Sequence, residues 1–131
     1  MSIASTLART HEILILESDK EKIGKINSDR PSIDDSDIKE FYKKHSLSIQ
    51  ALENKDEAYK EADFIIICVP TNFDKESSSF DTSIVEQVTA DALKHNNNAL
   101  IIIKSTIPVG YTKLLQKKHK TKNIIFSPEF L

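Results

Sequence analysis

An α/β fold with a mostly parallel sheet is predicted for this chain by three observations. Two apolar runs, FIIICV at Phe64–Val69 and ALIII at Ala99–Ile103, are hydrophobic on consecutive residues, as in strands covered on both faces. Helical segments separate the strand-like ones, and such alternation implies parallel strands joined by right-handed crossovers. The third observation is how the alternation begins. Residues 2–10 (SIASTLART) read as a short helix, His11–Glu17 (HEILILE) as a buried strand closed by an acid, Glu17, and a new helix follows. That order matches the second half of a dinucleotide-binding unit. Its first strand and glycine-rich phosphate loop are expected ahead of residue 1, and the chain's two glycines, Gly24 and Gly110, cannot form a G-x-G-x-x-G elsewhere.

Taken in order, the strands are expected at Ile13–Leu16, Leu47–Leu52, Asp63–Val69, Ala99–Lys104 and Asn123–Phe126. Helices are expected at about Lys20–Asn27, Ser36–Lys44, Lys55–Glu61, Ser83–Lys94 and Tyr111–His119. The Ser83 helix has capping-box spacing, with Glu86 three residues on, and Ile84, Val88 and Ala92 mark its apolar face. Arg30-Pro31 and Asp74–Ser79 (DKESSS) read as loops. The expected architecture is a Rossmann-like three-layer sandwich that lacks the first strand of the order 3-2-1-4-5-6. That strand is central, so the Ile13 and Asp63 strands would each lose a neighbour and expose unpaired backbone. Re-pairing of these strands, a homodimer or strand exchange would cover the gap.

Length and composition bound the rest. With 131 residues, one domain (residues 1–131) can bury roughly two thirds of its unfolded surface. A net charge of −2 gives no basis for a nucleic-acid surface. The single Cys68 excludes an internal disulfide and fits a reducing cytoplasm; within FIIICVP it reads as a buried core thiol. No apolar run approaches the ~20 residues of a membrane span, so a soluble cytoplasmic protein is expected. His11, His45, His95 and His119 lack metal-ligand spacing. Asp34, Asp35 and Asp37 read as capping charges at a helix start. Lys113, Lys117, Lys118, Lys120 and Lys122 read as a solvated face that also complements a helix C-terminus.

Chemistry is sought where strands end, because ligands of open parallel sheets bind outside the carboxyl ends. Glu17 ends one strand: such an acid can accept hydrogen bonds from both ribose hydroxyls of NAD and repel the extra phosphate of NADP, or it can serve as a helix N-terminal charge. Lys22 follows within reach of the same group. Val69-Pro70-Thr71-Asn72 places Thr71 and Asn72 at another strand end, although these residues also suit a plain turn. Lys104-Ser105-Thr106 follows a fully apolar strand, and the next helix begins past Pro108 and Gly110. Hydroxyls and a helix N-terminus together suit a ligand or a positioned water.

KSTIPVG, VPTN and the terminal SPEFL, in this order, resemble the N-terminal NAD-binding domain of the UDP-glucose 6-dehydrogenases, within the UDP-glucose/GDP-mannose dehydrogenase family. EILILESDKEKIGKIN, AYKEADFIIICVPTN and FDTSIVE extend the resemblance over essentially the whole chain. It implies an oxidoreductase lineage that converts UDP-glucose to UDP-glucuronate with two NAD, in nucleotide-sugar and polysaccharide biosynthesis. UDP-N-acetylmannosamine dehydrogenases rank second, since they usually differ after the Ser-Thr pair.

By the same resemblance Glu17, Lys22 and Thr71 belong to the cofactor site, with Asp more usual in relatives at the Glu17 position. Thr106 lies beside the nicotinamide and helps hold a catalytic water. Glu129, Phe130 and Leu131 begin the segment that contacts substrate. The family's G-x-G-Y-V-G would precede residue 1. The Arg-Glu pair, the nucleophilic Cys, the catalytic Lys and Asn, and the UDP-binding domain would follow Leu131, so Cys68 is not the nucleophile. The isolated chain is therefore expected to be inactive and to bind NAD weakly or not at all. The other reading is a non-catalytic remnant acting as a structural or partner-binding module.

Overall fold

The computed structural model describes residues 3–74 and 79–128. The chain divides into two compact units, residues up to Ala58 and residues from Tyr59 onward. In the first unit, α1 (Ile3–Leu7) leads into β1 (Ile13–Leu16), then α2 (Lys20–Ile26), α3 (Ser36–Lys44), β2 (Ile49–Leu52) and α4 (Lys55–Tyr59), whose last residue opens the second unit. The second unit continues with β3 (Phe64–Ile67), β4 (Phe73–Asp74), β5 (Ser79–Phe80), α5 (Ser83–His95), β6 (Leu100–Ile103), α6 (Tyr111–Lys118) and β7 (Ile124–Phe126).

Strand direction is as expected. In the first unit β1 and β2 pair in parallel, Ile13 opposite Ile49 through Leu16 opposite Leu52. In the second, β6 lies between β3 and β7, parallel to both. These are separate sheets, and among the described residues β1 and β3 do not pair with one another.

The first unit is organised by two capped helices. Asp19 accepts from the amides of Glu21 and Lys22 to start α2, and Asp35 accepts from Asp37 and Ile38 to start α3, satisfying otherwise orphaned N–H groups. The reading of the Asp34–Asp37 cluster as helix-start chemistry holds at Asp35. At its other end α2 delivers Asn27, whose side chain donates to Ala51 O (2.9 Å) and accepts from Ala51 N (2.7 Å). The amide thus imitates a neighbouring strand and occupies part of the outer edge of β2. Ile26, Ile38, Ala51 and Leu52 are buried around this junction. The expectation of a buried first strand fails: Ile13, Ile15 and Leu16 are half-buried and Leu14 is 38% exposed.

In the second unit the core is Ile65, Ile67, Ile101, Ile103 and Ile124 from the sheet, with Val85, Ala92 and Leu115 from α5 and α6. The apolar face of α5 is Val85, Thr89 and Ala92 rather than Ile84, Val88 and Ala92; Ile84 is exposed. A threonine can sit there because its hydroxyl donates to Val85 O at 2.7 Å, which removes the cost of burying it. The capping box does not form. The N-cap is Thr82, without a side-chain cap bond, and Asp81 accepts from Ser83 N instead (3.0 Å). Glu86 is drawn away to Lys118 and Tyr111.

Two further expectations are corrected. Cys68 is exposed, because β3 ends at Ile67. Alternation sends Ile65 and Ile67 into the core and leaves Phe64 (62% exposed) and Cys68 on the other side. The segment read as one loop at Asp74–Ser79 lies for residues 75–78 outside the described residues, and its ends belong to a short antiparallel pair, Phe73 opposite Phe80 and Asp74 opposite Ser79. The two phenylalanine rings meet edge-on at 5.1 Å, a favoured aromatic geometry.

Candidate functional site

Glu17 stands one residue past β1, where its own amide donates to Leu52 O (3.0 Å) and so extends the β1–β2 ladder by a step. The side chain then folds over the turn that follows. Its Oε1 accepts from Ser18 N (2.8 Å) and Asp19 N (3.1 Å), which fixes the carboxylate at the carboxyl end of the strand. Lys22, one turn into α2, brings Nζ to 3.8 Å from Oε2. The pair is half-open to water, with side chains 26% and 50% exposed, so its own contribution to stability is small. Glu17 is thus a turn-organising acid through Oε1, with Oε2 left beside a cation. The two readings left open by the sequence are compatible in one geometry.

In the second unit the ends of three parallel strands are tied together. Lys104 N donates to Ile67 O (2.9 Å), and Ser127 N donates to Ile103 O (2.9 Å), each adding a rung past β3, β6 and β7. Ser105 is 8% exposed and its hydroxyl donates to Val69 O at 2.7 Å. Lys104 Nζ donates to Ser127 O at 3.0 Å. Together these bonds place the Val69–Asn72 turn, which carries half-buried Thr71, and the Ser105–Thr106 turn, with Thr106 exposed, at one edge of the same sheet.

Sequence reasoning does not single out the fixed role of Ser105, although its place as a small hydroxyl directly after an apolar strand is the available signal. Beyond Thr106, Ile107 is buried and Gly110 takes φ 85° as the N-cap of α6. Glu129, Phe130 and Leu131 lie outside the described residues. Among the described residues no group of His, Cys, Asp and Glu could hold a metal ion.

One charged cluster lies between α5 and α6. Lys118 donates to Glu86, and Tyr111 Oη donates to its other oxygen at 3.2 Å. The Lys118 hydrogen bond and charge hold the Glu86 carboxyl below the usual glutamate range, and the same contact pushes the Lys118 ammonium up. Burial raises the Tyr111 phenol. Tyr111 and Lys118 on α6 both bond Glu86 on α5, so the cluster reads as a helix–helix tie. It also shows that the basic stretch at Lys113–Lys122 is in part a structural contact rather than wholly a solvated face.

Comparison with known proteins identifies the family and the fold. A UDP-glucose 6-dehydrogenase of Streptococcus pneumoniae is 39% identical over 131 residues, covering all of this chain and 33% of that protein. One from Campylobacter jejuni is 40% identical over 121 residues, covering 92% of this chain and 31% of that protein. The chain therefore spans about a third of the length of these relatives.

Among solved structures, a UDP-D-ManNAc dehydrogenase from Pyrococcus horikoshii superposes with a TM-score of 0.82 at 24% identity, covering 98% of this chain and 33% of that one. A GDP-mannose dehydrogenase from Pseudomonas aeruginosa gives 0.76 at 20%, again covering 98% and 33%. These two likenesses establish the Rossmann-like α/β fold. The family model for the NAD binding domain of the UDP-glucose/GDP-mannose dehydrogenases matches residues 1–131, and the chain belongs to that family.

Proposed function

We propose that this chain supplies the adenosine-ribose and nicotinamide-side residues of the NAD site in an oxidoreductase that converts UDP-glucose to UDP-glucuronate. The observation that carries the reading is Glu17: an acid whose Oε1 is held by two backbone amides past the end of β1, with Oε2 3.8 Å from Lys22 Nζ. That is the acceptor a ribose diol requires, since a carboxylate accepts from both hydroxyls and disfavours a phosphate in their place. The residues present therefore fit the adenosine side of NAD.

Bound NAD would supply the hydride acceptor for the oxidation. The chain's own residues bind and orient. Glu17 takes the ribose hydroxyls. Lys22 offsets the carboxylate's charge. Thr71 lines the cofactor, and Thr106 presents a hydroxyl able to hold a water. Glu129, Phe130 and Leu131 begin the substrate-contacting segment. UDP-glucose is preferred over UDP-N-acetylmannosamine because the relatives from Streptococcus pneumoniae and Campylobacter jejuni are UDP-glucose 6-dehydrogenases. We assign no turnover to the 131-residue chain by itself: its single thiol, Cys68, lies just past β3, and thioester chemistry needs a nucleophilic cysteine at the substrate.

A second reading, a module that binds a partner or a second copy, is favoured by Phe64, 62% exposed on a strand that among the described residues pairs with β6 alone. Saturation-transfer NMR with NAD and NADP separates the two. Weak NAD contact, with Kd above about 0.1 mM, is expected, lost in Glu17→Ala and fainter for NADP. Equal signals from NAD and NADP, or no effect of Glu17→Ala, would refute the ribose assignment. Micromolar affinity would refute the expectation of weak binding. No NAD contact at all would leave the partner-binding reading as the better one.

A further inference from the structure

We propose that the first unit carries a binding pocket for a small phosphate ester, set beyond the far end of α2 from Glu17. Glu17 binds the amides that open α2, whereas the pocket lies past the helix's last residue, Ile26. Seven helical residues put about 10 Å between the two. The pocket has a volume of about 340 Å³, within the range of small-molecule sites. Its walls come from α2 (Lys25), the turn after it (Asp29, Arg30 and Pro31) and α3 (Lys39, Tyr42 and Lys43).

The turn is a rigid one. Arg30 N donates to Lys25 O (2.9 Å) and Asp29 N to Ile26 O (3.1 Å), the paired bonds of a Schellman motif. Asp29 takes the left-handed conformation at φ 55°, and Pro31 then restricts the backbone that presents Arg30.

Charge makes the pocket selective for an anion. Lys39 and Lys43 are one turn apart on α3, a repulsive spacing for like charges. Lys39 is offset by Asp34 and Lys25 by Glu21, but both acids are highly exposed (91% and 78%), so these pairs are weak and exchangeable. Among the described residues Arg30 and Lys43 form no salt bridge. A phosphate group placed between them would take a forked guanidinium contact and an ammonium contact, and it would relieve the repulsion along α3. Asp29 is the acid in the wall and repels a second anionic group, but it can accept from a hydroxyl. The chemistry therefore favours an ester bearing hydroxyls, its carbon skeleton against Pro31 and the Tyr42 ring.

The test uses the 131-residue chain, labelled with nitrogen-15 and titrated with ribose 5-phosphate and, separately, inorganic phosphate at matched ionic strength. The expected result is saturable movement of the Arg30 and Lys43 amides by ribose 5-phosphate, with inorganic phosphate binding several-fold more weakly. Arg30→Ala/Lys43→Ala should weaken the ester by about tenfold or more while leaving the far-ultraviolet circular dichroism unchanged. Asp29→Asn should narrow the difference between the two ligands. The proposal is overturned if the movements centre on Ser18 and Asp19 or on Lys113–Lys122. It is equally overturned if the double variant binds as the parent does, or if inorganic phosphate binds as tightly as the ester.

Discussion

Replacing Asn96 by alanine should remove more stability than any other single polar truncation in the second unit. Its Nδ2 donates to Tyr59 O (2.8 Å) and Ala62 O (2.9 Å), with a longer contact to Lys60 O (3.3 Å). Its Oδ1 accepts from Asn98 N and Ala99 N, both at 3.1 Å. One side chain therefore closes the turn from α5 into β6 and clasps the turn between α4 and β3. Each bond contributes roughly 1 kcal/mol net, and a buried partner left unsatisfied costs about 1–3 kcal/mol.

Tyr59 and Ala99 are 6% and 2% exposed, so water reaches their freed groups poorly, while Asn98 is exposed and recovers most of its loss. The balance is about 3 kcal/mol for Asn96→Ala, or roughly 10 °C in Tm for a chain of this size. Asn96→Asp keeps the acceptor half but turns a carboxylate oxygen toward two carbonyls, so it should be no more stable than Asn96→Ala. Urea denaturation followed by circular dichroism measures both. A loss below about 1 kcal/mol in the alanine variant, or parental stability in the aspartate variant, would show that these turns hold without the clasp.

Two other expectations follow from the backbone and from charge. Gly110→Ala should cost about 1–2 kcal/mol, because φ is 85° and the left-handed region penalises a side chain. A Cβ there would meet nothing within 4 Å, so Gly110→Asn should recover part of the loss; equal stability of all three chains in urea would rule out the conformational explanation. The Glu86–Lys118 tie should be pH-dependent in a defined direction. Glu86 is lowered in the fold, mainly by the Lys118 hydrogen bond and then its charge, so the stabilisation is complete above the ordinary glutamate value and lost as pH falls through the lowered one. Lys118 is raised by the same contact, so on the alkaline side the contribution is complete below the ordinary lysine value and lost as pH rises through the raised one. The stability gap between the parent and Glu86→Gln, measured in urea at several pH values, should shrink toward acid below about pH 4; a gap that widens toward acid would contradict this.

Much of this molecule is legible in local sequence. Helix starts announce themselves where a side chain caps the turn it begins, as Asp19 and Asp35 do, and α3 spans Ser36–Lys44 as expected. Consecutive isoleucines mark β3 and β6, and an acid after β1 marks a candidate ribose contact. Family membership also follows from contiguous motifs such as KSTIPVG and VPTN, since each is read along the chain.

What sequence alone left open is what a side chain meets across space. Spacing suggested a capping box at Ser83 and Glu86, but a lysine far along the chain competes for the glutamate. Periodicity chose Ile84 for the core, whereas packing buried Val85 and Thr89, because a hydroxyl bonded to its own helix is as acceptable inside as a methyl. Cys68 looked buried in an apolar run, yet the ladder stops one residue earlier and leaves it exposed. The sequence by itself determined the helices, the five strands of the parallel sheets and the family they belong to, but not the short β4–β5 pair. Tertiary structure alone decided which edges pair, that Asn27, Asn96 and Ser105 bond the turns together, and that Arg30 and Lys43 line one pocket. Local conformation depends on neighbours a few residues away; those bonds depend on groups that only folding brings within about 3 Å of each other.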